Sequence, residues 1–144
     1  MNAGGEFVRG KFSREHTYHF DGGLTVPASA SPSVVPKPYS NPANIDPEEA
    51  FVASLASCHM LTFLFLASRG GFSIGSYEDE AVGIMAKNAE GQYWISHVTL
   101  HPRIAYDGDK RPTAEEEAKL HDGAHHQCFI ANSVKTEIVV EPVT

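Results

Sequence analysis

Two thiols are the residues of this chain best suited to chemistry. Cys58 lies in the run 46-DPEEAFVASLASCHM-60 and Cys128 in 124-AHHQCFIAN-132, and the sequence holds no other cysteine. Three readings are open to them: inert packing, the usual fate of a free cysteine, metal ligation, or work as a nucleophilic thiolate. Small residues surround Cys58 (Ala53, Ser54, Ala56, Ser57), so another chain segment can approach it closely. Cys128 follows His125-His126-Gln127, a polar setting. In a reducing compartment the two are not expected to form a constitutive staple; a pairing there would be transient and chemical.

Other chemistries fit less well. His121, His125, His126 and Cys128 have ligand-like spacing, because positions four apart share a helix face. However, the chain has no CxxC, no HExxH and no carboxylate completing the set, and exposed histidines on a helix account for the pattern. No GxSxG elbow is present. Asp79, Glu80 and Asp107 read as solvated strand-end charges, and His16, His19, His97 and His101 as structural residues on strands.

The elements that must position the thiols follow from local pattern. Residues 6–21 alternate enough for one or two strands, Gly22-Gly23 supplies a turn, and Leu24-Thr25-Val26 a short strand. Residues 27–44, rich in Pro, Ser and Ala, predict a long ordered loop. Asp46 as cap, Pro47 in the first turn and Glu49 three residues after the cap open a helix that Arg69-Gly70-Gly71 ends. That helix is apolar on nearly every side, so it should lie buried.

YEDEAVGIMAKN and QYWISHVTLHPRIAY read as two long strands joined through Ala89-Glu90-Gly91. Thr113 and Glu116 have capping-box spacing and start a second helix running through Asn132, with Gly123 as a potential break. Thr136 to Val140 predicts a last strand. The order is that of an α+β domain of antiparallel strands around a buried central helix. At 144 residues, one domain over 1–144 is expected, with no repeat or linker.

Composition sets further bounds. A net charge of −7 without clustered Lys and Arg argues against nucleic acid as a partner. The longest apolar run, Met60 to Ser68, falls short of the roughly 20 residues needed to span a bilayer. The segment MNAGGEFVRGKF lacks the apolar stretch of a signal peptide. A cytoplasmic protein without a membrane partner is the expectation.

The run Asn44-Ile-Asp-Pro47-Glu48-Glu-Ala-Phe-Val-Ala-Ser-Leu-Ala-Ser-Cys58 resembles the "NPE…LAAALAACF" helix of the OsmC/Ohr family of thiol peroxidases. Ala124-His125-His-Gln-Cys128-Phe-Ile-Ala-Asn132 resembles that family's second-cysteine segment, A-H-x-x-C-x-x-x-N. The glycine turn, the helix and the two strands after it agree in order. Asp46 before the Pro, His59 after Cys58 and Phe129 after Cys128 depart from the common pattern and place the chain nearer the general OsmC-like branch than typical Ohr.

The resemblance implies a thiol-dependent reduction of organic hydroperoxides, and more weakly of hydrogen peroxide. Cys58 would attack the peroxide and become a sulfenic acid; Cys128 would resolve it to a disulfide, and an external dithiol would reduce that. No cofactor or metal is expected. The alternative is a non-catalytic binding or structural protein of the same fold with buried cysteines.

The thiolate needs support, and the helix dipole fades within the first turn, about three turns short of Cys58. A nearby cation is therefore expected. Arg14 matches the family arginine best, with Arg9 the weaker match, and Glu48 would hold its guanidinium in a bidentate pair. Ten residues of helix separate Glu48 from Cys58 by roughly 15 Å. On a straight helix the two cannot share one site: either the helix bends sharply, or Glu48 comes from a second copy crossing antiparallel, which the small-residue face around Cys58 favours. The resemblance implies an intertwined homodimer with sites at the subunit interface, which agrees with this, so an obligate dimer is expected. Phe51, Phe63 and Phe129 are expected around the thiol as an apolar pocket.

Overall fold

The computed structural model describes residues 4–144, so the first three residues of the expected domain and of the N-terminal segment lie outside it. The chain forms two compact units, residues 1–51 and 52–144.

In the first unit, α1 (Gly4–Val8) precedes a hairpin of β1 (His16–His19) and β2 (Thr25–Ala28), paired antiparallel through a turn with Gly23 at φ 98°. The strand expected from residue 6 is thus only its second half. Gly10, at φ 78°, turns the chain after α1, and the Phe7 and Phe12 rings stack at 4.4 Å. The Arg14 guanidinium occupies the Gly10 and Phe12 carbonyls, so this backbone is satisfied locally and joins no ladder. The Pro- and Ser-rich loop is ordered by its polar groups. The Glu15 carboxylate accepts from the Asn41 and Asn44 amides, and the buried Ser29 hydroxyl accepts from the Asn41 N–H.

α2 (Pro47–Arg69) opens with reciprocal capping: Asp46 Oδ1 accepts from Glu49 N at 2.8 Å and Glu49 Oε1 from Asp46 N at 3.3 Å. By length and composition this helix could cross a membrane, more than its longest apolar run suggests. The helix is buried along one line only. Leu55, His59, Phe63 and Ala67, four apart, face inward, while Leu61 and Phe65 stay 60% and 56% exposed. The all-round burial expected from the sequence is not achieved by a single chain.

The second unit carries two further corrections. Each long strand is broken in the middle, giving β3 (Ile74–Asp79), β4 (Val82–Lys87), β5 (Tyr93–Leu100) and β6 (Pro102–Tyr106). β3 pairs with β6 and β4 with β5, both antiparallel, and β7 (Glu137–Val140) adds to β5 in parallel. Asp79 makes this corner rather than facing water. Its Oδ1 accepts from His101 N at 2.7 Å, while the His101 ring donates to the Glu80 carbonyl at 2.9 Å. The turn after β4 falls where expected, with Gly91 at φ 79° and Asn88 Oδ1 accepting from the Glu90 and Gln92 N–H groups.

α3 (Ala114–Gln127) starts on the predicted Thr113–Glu116 capping box and does not break at Gly123. A Cβ at Gly123 would lie 3.1 Å from Leu66 Cδ1, so the glycine is there to let α3 approach α2. Phe63, Ala67, Phe72 and Ala124 form the core between these helices and β3–β6, and full burial of a side chain such as Phe63 contributes about 2–3 kcal/mol.

Candidate active site

The helix predicted through Asn132 ends at Gln127, and that early stop builds the site. Cys128 leaves α3 in an extended conformation (φ −67°, ψ 116°), and a 3-10 turn, Ala131–Ser133, follows. The polar setting of Cys128 in the sequence is misleading, because His125, His126 and Gln127 face outward while Cys128 turns in and is 1% exposed. There its thiol meets the half-buried Cys58 thiol closely enough for each to shift the other.

The turn that follows Cys128 also aims donors at Cys58. Burial raises the Cys58 thiol. Hydrogen bonds from the Cys128 S–H, from the Ile130 and Phe129 N–H groups and from the Thr62 hydroxyl outweigh that and hold it below the ordinary thiol value. The Thr62 hydroxyl has one proton, and at 2.8 Å it donates to the Cys58 carbonyl, so its support of the sulfur is the smallest of the set. Cys128 moves the opposite way: burial and the commitment of its proton to Cys58 raise it, against weaker help from the Ala131 N–H at 3.4 Å. The pair is asymmetric. Cys58 is the better thiolate and Cys128 the proton-bearing partner.

An open pocket of about 590 Å³ lies against Cys58, lined by Leu61, Thr62, Phe65, Gln127, Phe129 and Asn132. Of the three aromatics expected there, Phe129 is present. Phe63 is in the core against Tyr77 and His121, and its place is taken by Leu61 and Phe65. Positions 58, 61, 62 and 65 follow the i, i+3, i+4, i+7 rule, so helical spacing from Cys58 identifies this face.

The other residues singled out stand apart from the thiols in chemistry. Arg14 Nη1 donates to the Gly10 carbonyl at 2.9 Å and to that of Phe12, with the guanidinium carbon 3.4 Å over the Phe12 ring. Arg9 pairs with Glu6 at 3.2 Å on an exposed surface. Glu48 Oε2 is buried without a hydrogen-bond partner among the described residues. Within one chain Arg14 and Glu48 therefore form no ion pair. α2 is unbroken from Pro47 to Arg69, so Glu48 and Cys58 keep their ten-residue separation on one helix.

The histidine cluster does not assemble as a metal site. His121 is buried against His59, with Nδ1 3.0 Å from His59 Nε2, while His125 and His126 face outward. Among the described residues no three His, Cys, Asp or Glu side chains come together as metal ligands.

The model of the family described as OsmC-like protein matches residues 40–143, which span α2, both cysteines and all strands of the second unit. The chain belongs to the OsmC-like protein family. Among solved structures, this OsmC-like chain is similar to an OsmC-like protein of unknown function from Vibrio cholerae. The two are 50% identical with a TM-score of 0.93, over 95% of this chain and 89% of that one. More distant are two organic hydroperoxide resistance proteins, from Elizabethkingia anophelis and Bacillus subtilis. The first is 21% identical, with a TM-score of 0.69 over 90% of this chain and 86% of that one. The second is 20% identical, with a TM-score of 0.67 over 91% of this chain and 92% of that one. At those identities the likeness shows the shared fold alone. Comparison with curated proteins gives no match.

Proposed function

We propose that this OsmC-like protein is a thiol-dependent hydroperoxide reductase, with Cys58 as the peroxidatic and Cys128 as the resolving cysteine. The observation that carries the reading is the thiol pair: Cys58 borders an open apolar pocket, and the buried Cys128 meets it from behind, with Cys58 shifted down and Cys128 up. The names of the distant structural relatives agree with it.

In the first step the Cys58 thiolate attacks the terminal oxygen of a hydroperoxide. The O–O bond breaks, the leaving alkoxide takes a proton to become an alcohol, and Cys58 becomes a sulfenic acid. The Cys128 sulfur then attacks the Cys58 sulfur, an S–S bond forms, and the hydroxyl leaves as water with the Cys128 proton. An external dithiol restores both thiols by exchange, itself becoming a disulfide.

Leu61, Phe65 and Phe129 suit the hydrocarbon tail of an organic substrate better than water-like hydrogen peroxide. A homodimer is part of the reading. The exposed Leu61 and Phe65 on a helix of this apolarity call for a cover, and a second copy would supply it. Glu48 Oε2, buried and unpartnered, is available to a guanidinium, and Arg14 is proposed as its partner in that assembly.

The test is peroxide consumption with a dithiol, using cumene hydroperoxide and hydrogen peroxide in parallel, on the native protein and on Cys58→Ser and Cys128→Ser. Loss of turnover in Cys58→Ser, with faster use of the organic substrate by the native protein, supports the reductase. Equal, negligible consumption by all three would remove it in favour of a non-catalytic protein of the same fold.

A further inference from the structure

Cys58 lies on α2 and Cys128 directly follows the end of α3, and a sulfur–sulfur contact tolerates little sliding of one helix along the other. Apolar packing between α2 and α3 is weak at fixing such a register, because hydrophobic contact is non-directional. One contact between these helices is directional. His59, the residue after Cys58, and His121, two turns before Cys128, are 1% and 4% exposed and hydrogen-bond at 3.0 Å, with their ring planes parallel to within 7°.

The surroundings select one tautomer. His121 Nε2 has no hydrogen-bond partner among the described residues and faces the Glu117 carboxylate at 3.9 Å, so its proton belongs on Nε2. Nδ1 is then the acceptor and His59 Nε2–H the donor. Burial, reinforced at His59 by the charge His121 and His125 would carry, keeps both rings neutral near neutral pH, which preserves this single N–H···N bond.

We propose that the His59–His121 hydrogen bond positions the thiol pair: it locks the register of α3 against α2 and so presents Cys128 to Cys58. Neither imidazole touches the reacting sulfurs in this assignment; both act through the helices that carry them. The inference deepens the proposed reductase reading but is tested without peroxide.

The test is equilibrium oxidation of the reduced protein by glutathione disulfide. Two cysteine thiols give up two electrons and two protons, an S–S bond forms between them, and two glutathione thiols are released. The measured constant gives the effective concentration of Cys128 at Cys58. His59→Leu with His121→Leu removes both imidazoles and leaves no unpaired one buried. His59→Gln keeps a donor at the same distance from the backbone.

The expected result is at least a tenfold fall in effective concentration for the double variant and a fall of less than threefold for His59→Gln. Unfolding midpoints are measured alongside, so that a general loss of stability is separated from a loss of register. If His59→Gln does not fold, the double variant alone decides. If the double variant does not fold, His59→Gln decides against the single His59→Leu. A folded double variant with native effective concentration would overturn the proposal. It would leave the peroxidase reading untouched, because that rests on peroxide consumption and Cys58→Ser.

Discussion

The buried Cys128 thiol lies against the Cys58 thiol, and their interaction moves the two in opposite directions, Cys58 down and Cys128 up. From the sequence, a cation is expected to stabilise the thiolate. In the structure, hydrogen-bond donors from the end of α3 already supply the largest favourable contributions. The contact favours Cys58 as the thiolate of the pair.

Removing the donor should therefore weaken the nucleophile. Cys128→Ala is expected to raise the pH at which Cys58 is half-alkylated by iodoacetamide, and to slow its alkylation at neutral pH. Cys128→Ser, which keeps a hydroxyl donor, should lie between. An unchanged or lowered alkylation midpoint in Cys128→Ala would contradict the hydrogen-bond account of the asymmetry.

The His59–His121 pair predicts acid sensitivity. Both rings are pushed down to about 4 from 6.5, chiefly by burial, with Asp122 opposing slightly at His121 and Glu117 nearby. Between those values the unfolded chain binds protons that the folded chain does not, so stability is complete above about pH 6.5 and falls as pH drops towards 4. Repulsion between the two protonated rings further hinders proton uptake by the folded chain, so the two effects add rather than cancel, and the loss is on the order of a few kcal/mol. Urea unfolding at several pH values measures it. Carboxylates also contribute in acid, so the reading is the difference from His59→Leu/His121→Leu, whose stability should change less over the same window.

The apolar wall of the pocket predicts selectivity. Phe65→Ala should lower kcat/KM for cumene hydroperoxide by about tenfold, or ~1.4 kcal/mol, and leave that for hydrogen peroxide within about twofold. Parallel losses on both substrates would place Phe65 in structure rather than in substrate contact.

Asp79 predicts a cost at the corner of the bent hairpin. Asp79→Ala leaves the His101 N–H without its acceptor and should destabilise the fold by about 1–3 kcal/mol, whereas Asp79→Asn, which retains an acceptor oxygen, should cost less. Thermal melts of the two variants rank them, and an alanine variant as stable as the native protein would show that the corner stands without this bond.

Local signals were enough for much of this molecule. The reciprocal caps at Asp46–Glu49 and Thr113–Glu116, the glycine turns at 23 and 91 and the span of α2 all depend on residues within a few positions of one another, and each stands where the sequence puts it. The two cysteine segments, with their family resemblance, also identified the chemistry to look for.

What the sequence could not decide depends on partners distant along the chain. The strands bend because Asp79 finds His101, and α2 buries one face because α3 and the sheet reach only that side. A helical pattern cannot reveal that α3 ends at Gln127, yet that ending turns Cys128 inward and points the Phe129 and Ile130 N–H groups at Cys58. Spacing identifies the residues on a helix face; tertiary packing determines what that face meets, and hence whether a histidine seeks metal, solvent or another histidine.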